Sequence, residues 1–122
     1  MTSKLLLIED DTTMLTLLRT LLRFEGYEVA LMEEDEDLET IMKTIRLEKP
    51  ALILLDVHLR QVNGFELLHL IRKDKELQGV RVIISSGSDF SESCKGEGAD
   101  GFILKPYMPE ELFNKIRGLI VD

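Results

Sequence analysis

A doubly wound α/β sheet is the fold that this sequence predicts, and three observations carry the prediction. Short, wholly apolar runs recur along the chain at 5–8, 51–55 and 82–84. Stretches with helical spacing separate them, and Gly26, Pro50 and Asn63-Gly64 punctuate the alternation. Strands apolar on both faces belong to a parallel sheet covered on both sides, and right-handed crossovers then lay helices on each face.

The elements follow in order. Residues 4–8 form a first strand, running into Glu9-Asp10-Asp11. Met14, Leu17, Leu18, Leu21 and Leu22 keep helical spacing up to Gly26, which suits a position just past a helix end. Residues 27–32 read as a strand. The acidic stretch 33–39 reads as a solvated loop entering a helix whose apolar face is Leu38, Ile41, Met42 and Ile45, with Pro50 as its stop. The strand 51–55 delivers Asp56. Asn63-Gly64 marks a turn, and Phe65, Leu67, Leu68 and Ile71 open the next helix. The strand 80–84 runs into Ser85-Ser86-Gly87, and the strand 101–104 into Lys105-Pro106. Pro109 suits the first position of a final helix with Leu112, Phe113, Ile116, Leu119 and Ile120 on its inner face. The segment 88–100 breaks the regularity. With two Gly, three Ser and few apolar residues it predicts a stub of helix or an irregular loop.

Bulk properties narrow the function. The chain of 122 residues suits one domain spanning 1–122. A net charge of −8 argues against nucleic-acid binding by this domain and favours partners with basic surfaces. No apolar run approaches the roughly 20 residues of a membrane span, and no signal peptide is apparent. Cys94 is alone, which predicts no disulfide, a cytoplasmic setting and an exposed, inert thiol.

In an open parallel sheet the carboxyl ends of the strands share one edge, where ligands bind. Here that edge collects the acids Glu9, Asp10 and Asp56, a hydroxyl and the Lys105 ammonium. Such a set fits a divalent cation beside a phosphoryl group. A carboxylate can accept a phosphoryl group as an aspartyl phosphate once a hard, oxygen-seeking cation such as Mg²⁺ screens the charges. Asp56, ending a five-residue apolar run, needs a partner and is the strongest functional candidate. Asp11 and Thr12 read first as helix caps. The Glu9-Asp10 pair taken alone divides evenly between capping and metal binding. His58 and His69 lack metal-ligand spacing with each other, and His69 reads as a solvated helix residue.

Taken in order, the acid pair, lone Asp56, Ser86-Gly87 and Lys105-Pro106 resemble the receiver domain of two-component response regulators, along essentially the whole chain. The resemblance implies a flavodoxin-like, CheY-like fold with strand order 2-1-3-4-5. It implies Asp56 as phosphoacceptor, and Glu9, Asp10, Asp56 and the backbone carbonyl of His58 as the magnesium site, with Glu9 acting through a water. Ser86 is then the hydroxyl that turns to the phosphoryl group, Lys105 its ammonium partner and Phe102 the rotating aromatic. A cis Lys105-Pro106 bond is implied too. The implied partners are a histidine kinase or histidine phosphotransfer protein and a downstream effector or fused output domain. The protein is then not an enzyme acting on a separate substrate, although it takes part in its own phosphorylation and dephosphorylation.

The sequence departs from the family at Arg60, usually proline, and at Met108, usually a capping Asp. The interval from Ser86 to Lys105 is shorter by about one helical turn, ~3–4 residues, so the usual dimerisation surface is expected to differ. Two rival readings stand beside the switch. A phosphorylation-independent interaction module draws on segment 88–100, against the intact acid set. An aspartyl-phosphate phosphatase would suit an acid where His58 stands. Flavin or nucleotide binding fits poorly with an acidic, Gly-free first turn. A chain that stops as its last helix ends is compatible with a free-standing regulator or with the receiver of a longer protein.

Overall fold

A computed structural model describes residues 3–9, 11–32, 36–59 and 62–120. Five parallel strands, β1 (Lys4–Ile8), β2 (Glu28–Leu31), β3 (Leu52–Asp56), β4 (Arg81–Ser86) and β5 (Gly101–Leu104), form one sheet in the order β2-β1-β3-β4-β5. Among the described residues five α-helices connect or follow them, α1 (Thr12–Phe24), α2 (Leu38–Glu48), α3 (Gly64–Lys73), α4 (Ser91–Glu97) and α5 (Pro109–Leu119), with one short 3-10 helix (Lys75–Leu77) after α3.

Side chains alternate across a strand, so the period of two sorts the core into two layers. Leu5, Leu7, Leu52, Leu54, Ile83 and Ile103 face α1 and α5. Leu6, Ile8, Ile53, Leu55, Val82 and Ile84 face the side of α2, α3 and α4. The three central strands are buried on both faces, which explains their unbroken apolar runs.

Local chemistry sets the helix ends. The Asp11 carboxylate accepts the Met14 amide at 3.1 Å, and the Asp37 carboxylate accepts that of Thr40 at 2.8 Å. Both are side-chain N-caps, as read for Asp11. Lys49, just before Pro50, ends α2 in the left-handed region at φ 49°. Asn63 does more than turn the chain: its side-chain oxygen caps α3, accepting from Phe65 at 2.8 Å. Gly64 is forced by space. A Cβ there would lie 2.7 Å from the Asp56 carbonyl oxygen and 2.7 Å from the Val57 Cα. With Met108 unable to cap α5 well, the Glu111 carboxylate accepts the Met108 amide at 3.4 Å instead.

Segment 88–100 holds a helix of seven residues, the stub of the two expected alternatives, closed by Gly98 at φ 93°. Two other expectations are revised. Cys94 is not exposed. It is 3% accessible and is the residue that α4 turns into the core. A small apolar thiol supplies the anchor that the surrounding Ser and Gly cannot, and burial pushes its pKa up. Strand β4 also runs further than 80–84, taking in both Ser85 and Ser86.

Candidate functional site

The strand ends bring three of the predicted residues into contact. Glu9, Asp56 and Ser85 follow Leu7, Leu54 and Ile83 by two positions, so all three fall on the sheet face covered by α1 and α5. Lys105 follows Ile103 on β5 in the same way. Its ammonium reaches across β4 to Asp56 Oδ2 at 3.1 Å and Glu9 Oε2 at 2.8 Å. Both acids are buried, at 3% accessibility each. The Asp56 carboxylate also accepts the His58 amide at 3.1 Å, and Glu9 Oε1 accepts that of Asp11 at 3.3 Å. The Lys105-Pro106 peptide bond is cis.

Two buried carboxylates share one ammonium, so the site is one positive charge short. Burial, and then the neighbouring Asp56 charge, push the Glu9 carboxyl up to about 7 against the pull of Lys105. Burial works to lower the Lys105 pKa, but its hydrogen bond to Glu9 and the charges of Glu9 and Asp56 raise it overall. Tyr107, just past the cis bond, has its phenol pKa raised by burial and by the same two charges.

Other predicted residues stand apart. Ser86 shares the opposite face with Val82 and Ile84, and its buried hydroxyl accepts the Ser88 amide at 3.1 Å. Phe102 is half-buried on that face and borders a cavity of about 150 Å³ with Ser91, Cys94 and Ala99. His58 is exposed and pairs in an isolated bridge with Asn63. His69 is exposed as read, and its ring contacts the Glu97 carboxylate. Asp10 and Arg60 lie outside the described residues. Among the described residues no three His, Cys, Asp or Glu side chains form a metal cluster.

Sequence reasoning missed two residues of this region. Ser85 was read only as part of the loop after β4. Gly64, pressed on the Asp56 backbone, was read only as a turn. Its signal was Asn-Gly ahead of an apolar helix, which fits a capped helix start as well as a turn.

A parallel sheet of order 2-1-3-4-5, with acids ending its first and third strands and a lysine beyond its fifth, defines a receiver of the two-component type. The chain belongs to the response regulator receiver domain family, whose model matches residues 5–117. Its function is that of a receiver domain in two-component signalling. The alkaline phosphatase synthesis transcriptional regulatory protein PhoP of Bacillus subtilis is 29% identical over 121 residues, which are 98% of this chain and 49% of PhoP. The chain spans about half the length of the curated relatives it matches. A CheY-like receiver domain protein from Methanospirillum hungatei superposes with a TM-score of 0.84 at 30% identity, covering 97% of this chain and 93% of that one. The receiver domain of the sensor histidine kinase PA1611 from Pseudomonas aeruginosa shares the fold at 22% identity, with a TM-score of 0.82 and 98% of each chain covered. That structure holds a magnesium ion in its active-site cleft.

Proposed function

We propose that Asp56 is the phosphoacceptor of this receiver, charged by a phosphohistidine on a histidine kinase or histidine phosphotransfer protein. The observation that carries the reading is the buried Asp56 carboxylate ending the central strand, with the Lys105 ammonium at 3.1 Å and the Glu9 carboxylate on the same ammonium. In the transfer the phosphorus–nitrogen bond of the donor breaks, its electron pair stays with the imidazole, and a phosphorus–oxygen bond forms to Asp56. The His58 amide fixes the carboxylate during attack, and Lys105 follows the phosphoryl oxygens as their charge arrives.

The donor set fits magnesium. It consists of oxygens only, carries an excess of negative charge, and sits at the sheet edge beside the exposed Asp11 and His58. Asp10, Asp56 and the His58 carbonyl would hold the ion, with Glu9 reaching it through water. When bound it supplies the positive charge that lets an anionic donor approach. Ser86 would then leave the Ser88 amide for the phosphoryl group, and Phe102 would occupy the space vacated, shifting a pre-existing balance of surfaces. The protein acts on itself and is not a separate enzyme. Its output goes to an effector or a fused domain, as the transcriptional role in the name of PhoP suggests, and it works in the cytoplasm without contacting nucleic acid through this domain.

Incubation with Mg²⁺ and a small acyl phosphate, followed by intact mass measurement, tests the reading. One added phosphoryl group is expected, lost on chelation and in Asp56→Asn. The rival interaction module, favoured by the seven-residue α4, requires that no adduct forms.

A further inference from the structure

Ser85 is the residue on this edge that the phosphoacceptor reading leaves unused. The register sets it beside Asp56 on β3 and Ile103 on β5, and the alternation along β4 points it to the face of Asp56 rather than that of Ser86. It is 0% accessible. Its Oγ has no hydrogen-bond partner among the described residues, and no other buried side-chain polar atom among them shares that condition. The neighbouring Ser86 hydroxyl, by contrast, is satisfied. A native buried hydroxyl without a partner is uncommon and asks for an explanation.

The partners of Asp56 supply one. Oδ1 accepts from the His58 amide and Oδ2 from Lys105, and in the position these two donors fix, the carboxylate makes no hydrogen bond with Ser85. Lys105 belongs to the far side of β4 and spans that strand to reach Asp56, passing over the edge that carries Ser85. In the phosphorylated state proposed above, Lys105 pairs with a phosphoryl oxygen, and its bond to Asp56 is given up. Ser85 then remains one strand spacing, about 4.8 Å, from the Asp56 backbone, with its donor free.

We infer that the Ser85 hydroxyl is a catalytic donor held for the phosphorylated state, where it stabilises the Asp56 carboxylate as it leaves phosphorus and so shortens the life of the phosphoryl group. In hydrolysis a water oxygen bonds to phosphorus, the bond from phosphorus to Asp56 breaks, and its electron pair returns to the carboxylate. The water proton leaves with inorganic phosphate or to solvent. The Asp56 oxygen passes from a neutral acyl acceptor to an anionic one, and a hydrogen bond to an anion is the stronger. The bond from Ser85 thus tightens toward the transition state, which is the condition for acceleration. Phosphorylation gives no such gain. Asp56 enters as an anion, and in a loose transition state it keeps most of that charge.

The inference rests on the phosphoacceptor reading, and the two separate in one experiment. The full chain and its Ser85→Ala and Ser85→Thr variants are phosphorylated with Mg²⁺ and a small acyl phosphate, freed of donor, and followed by intact mass, with thermal melting as the fold control. Ser85→Ala is expected to lengthen the phosphoryl half-life about threefold to tenfold. Its phosphorylation rate should stay within about twofold, because Asp56 is charged in both states of that step. Ser85→Thr, which keeps the hydroxyl, should restore the parental decay. A Ser85→Ala protein that melts normally and decays at the parental rate overturns the inference alone. So does an equal slowing of both steps, which would mark a general distortion. Failure of the unmodified chain to accept a phosphoryl group overturns the phosphoacceptor reading and this inference with it.

Discussion

The two ends of the sheet each hold a three-charge cluster, built to opposite plans. At the carboxyl end two acids, Glu9 and Asp56, share Lys105. At the amino end two guanidiniums, Arg72 and Arg81, share Asp100, at 2.7 and 3.3 Å. The second cluster is saturated. Arg72 also donates to the carbonyls of Gly98 and Val80, at 2.8 and 2.7 Å, and Asp100 accepts the Val82 amide at 2.8 Å. It ties the end of α3 to the turn between α4 and β5 and to the start of β4. The first cluster is left short of positive charge, with Glu9 displaced to about 7 and the Ser85 hydroxyl unpaired. One end is completed by its own residues. The other is left one positive charge short, an imbalance expected of a functional cluster rather than a structural one.

Several substitutions would break or sharpen this contrast. The largest effect is expected from Arg72→Ala, which removes the shorter of the two ion pairs of Asp100 and the guanidinium donors to the Gly98 and Val80 carbonyls. A loss of about 3 kcal/mol in denaturant unfolding is expected, with phosphorylation of the folded protein unchanged. If the adduct is lost as well, the two ends are not independent. Gly64→Ala drives a Cβ into the backbone of Asp56 and Val57. It should cost about 2 kcal/mol and, unlike Arg72→Ala, disturb the site, seen as slower phosphorylation at a temperature where the variant is folded. Asp56→Asn should move stability the other way. Removing one of two repelling buried acids is expected to raise the unfolding free energy of the metal-free protein by about 1 kcal/mol, although all phosphorylation is lost. A drop of similar size would show that the acid pair is structural. Arg81→Ala is the smallest case. Arg81 is 53% accessible, and its removal should change stability by less than about 0.5 kcal/mol.

The site was more legible in the sequence than its surroundings, for a physical reason. Acids and a lysine ending apolar strands are local signals, and the topology of a parallel sheet brings strand ends together without further information. Glu9, Asp56 and Lys105 could therefore be named before any coordinate. The facing of Ser85 and Ser86 was not available, because the alternation of faces applies to them only if β4 runs on through both. The Arg72–Asp100 cluster joins residues 28 positions apart, and long-range side-chain pairing has no signature in composition or spacing. Cys94 was placed outside because its neighbours are polar. In a two-turn helix a single small apolar residue suffices to make an inner face, and the local average conceals it.

The central claim is that Asp56, and no other acid of the edge, carries the phosphoryl group. Borohydride reduction of the phosphorylated chain converts an aspartyl phosphate to homoserine, and peptide mass mapping then locates it. Reduction confined to Asp56 is the predicted result; reduction at Glu9, Asp10 or Asp11, or an adduct that resists borohydride, would contradict it.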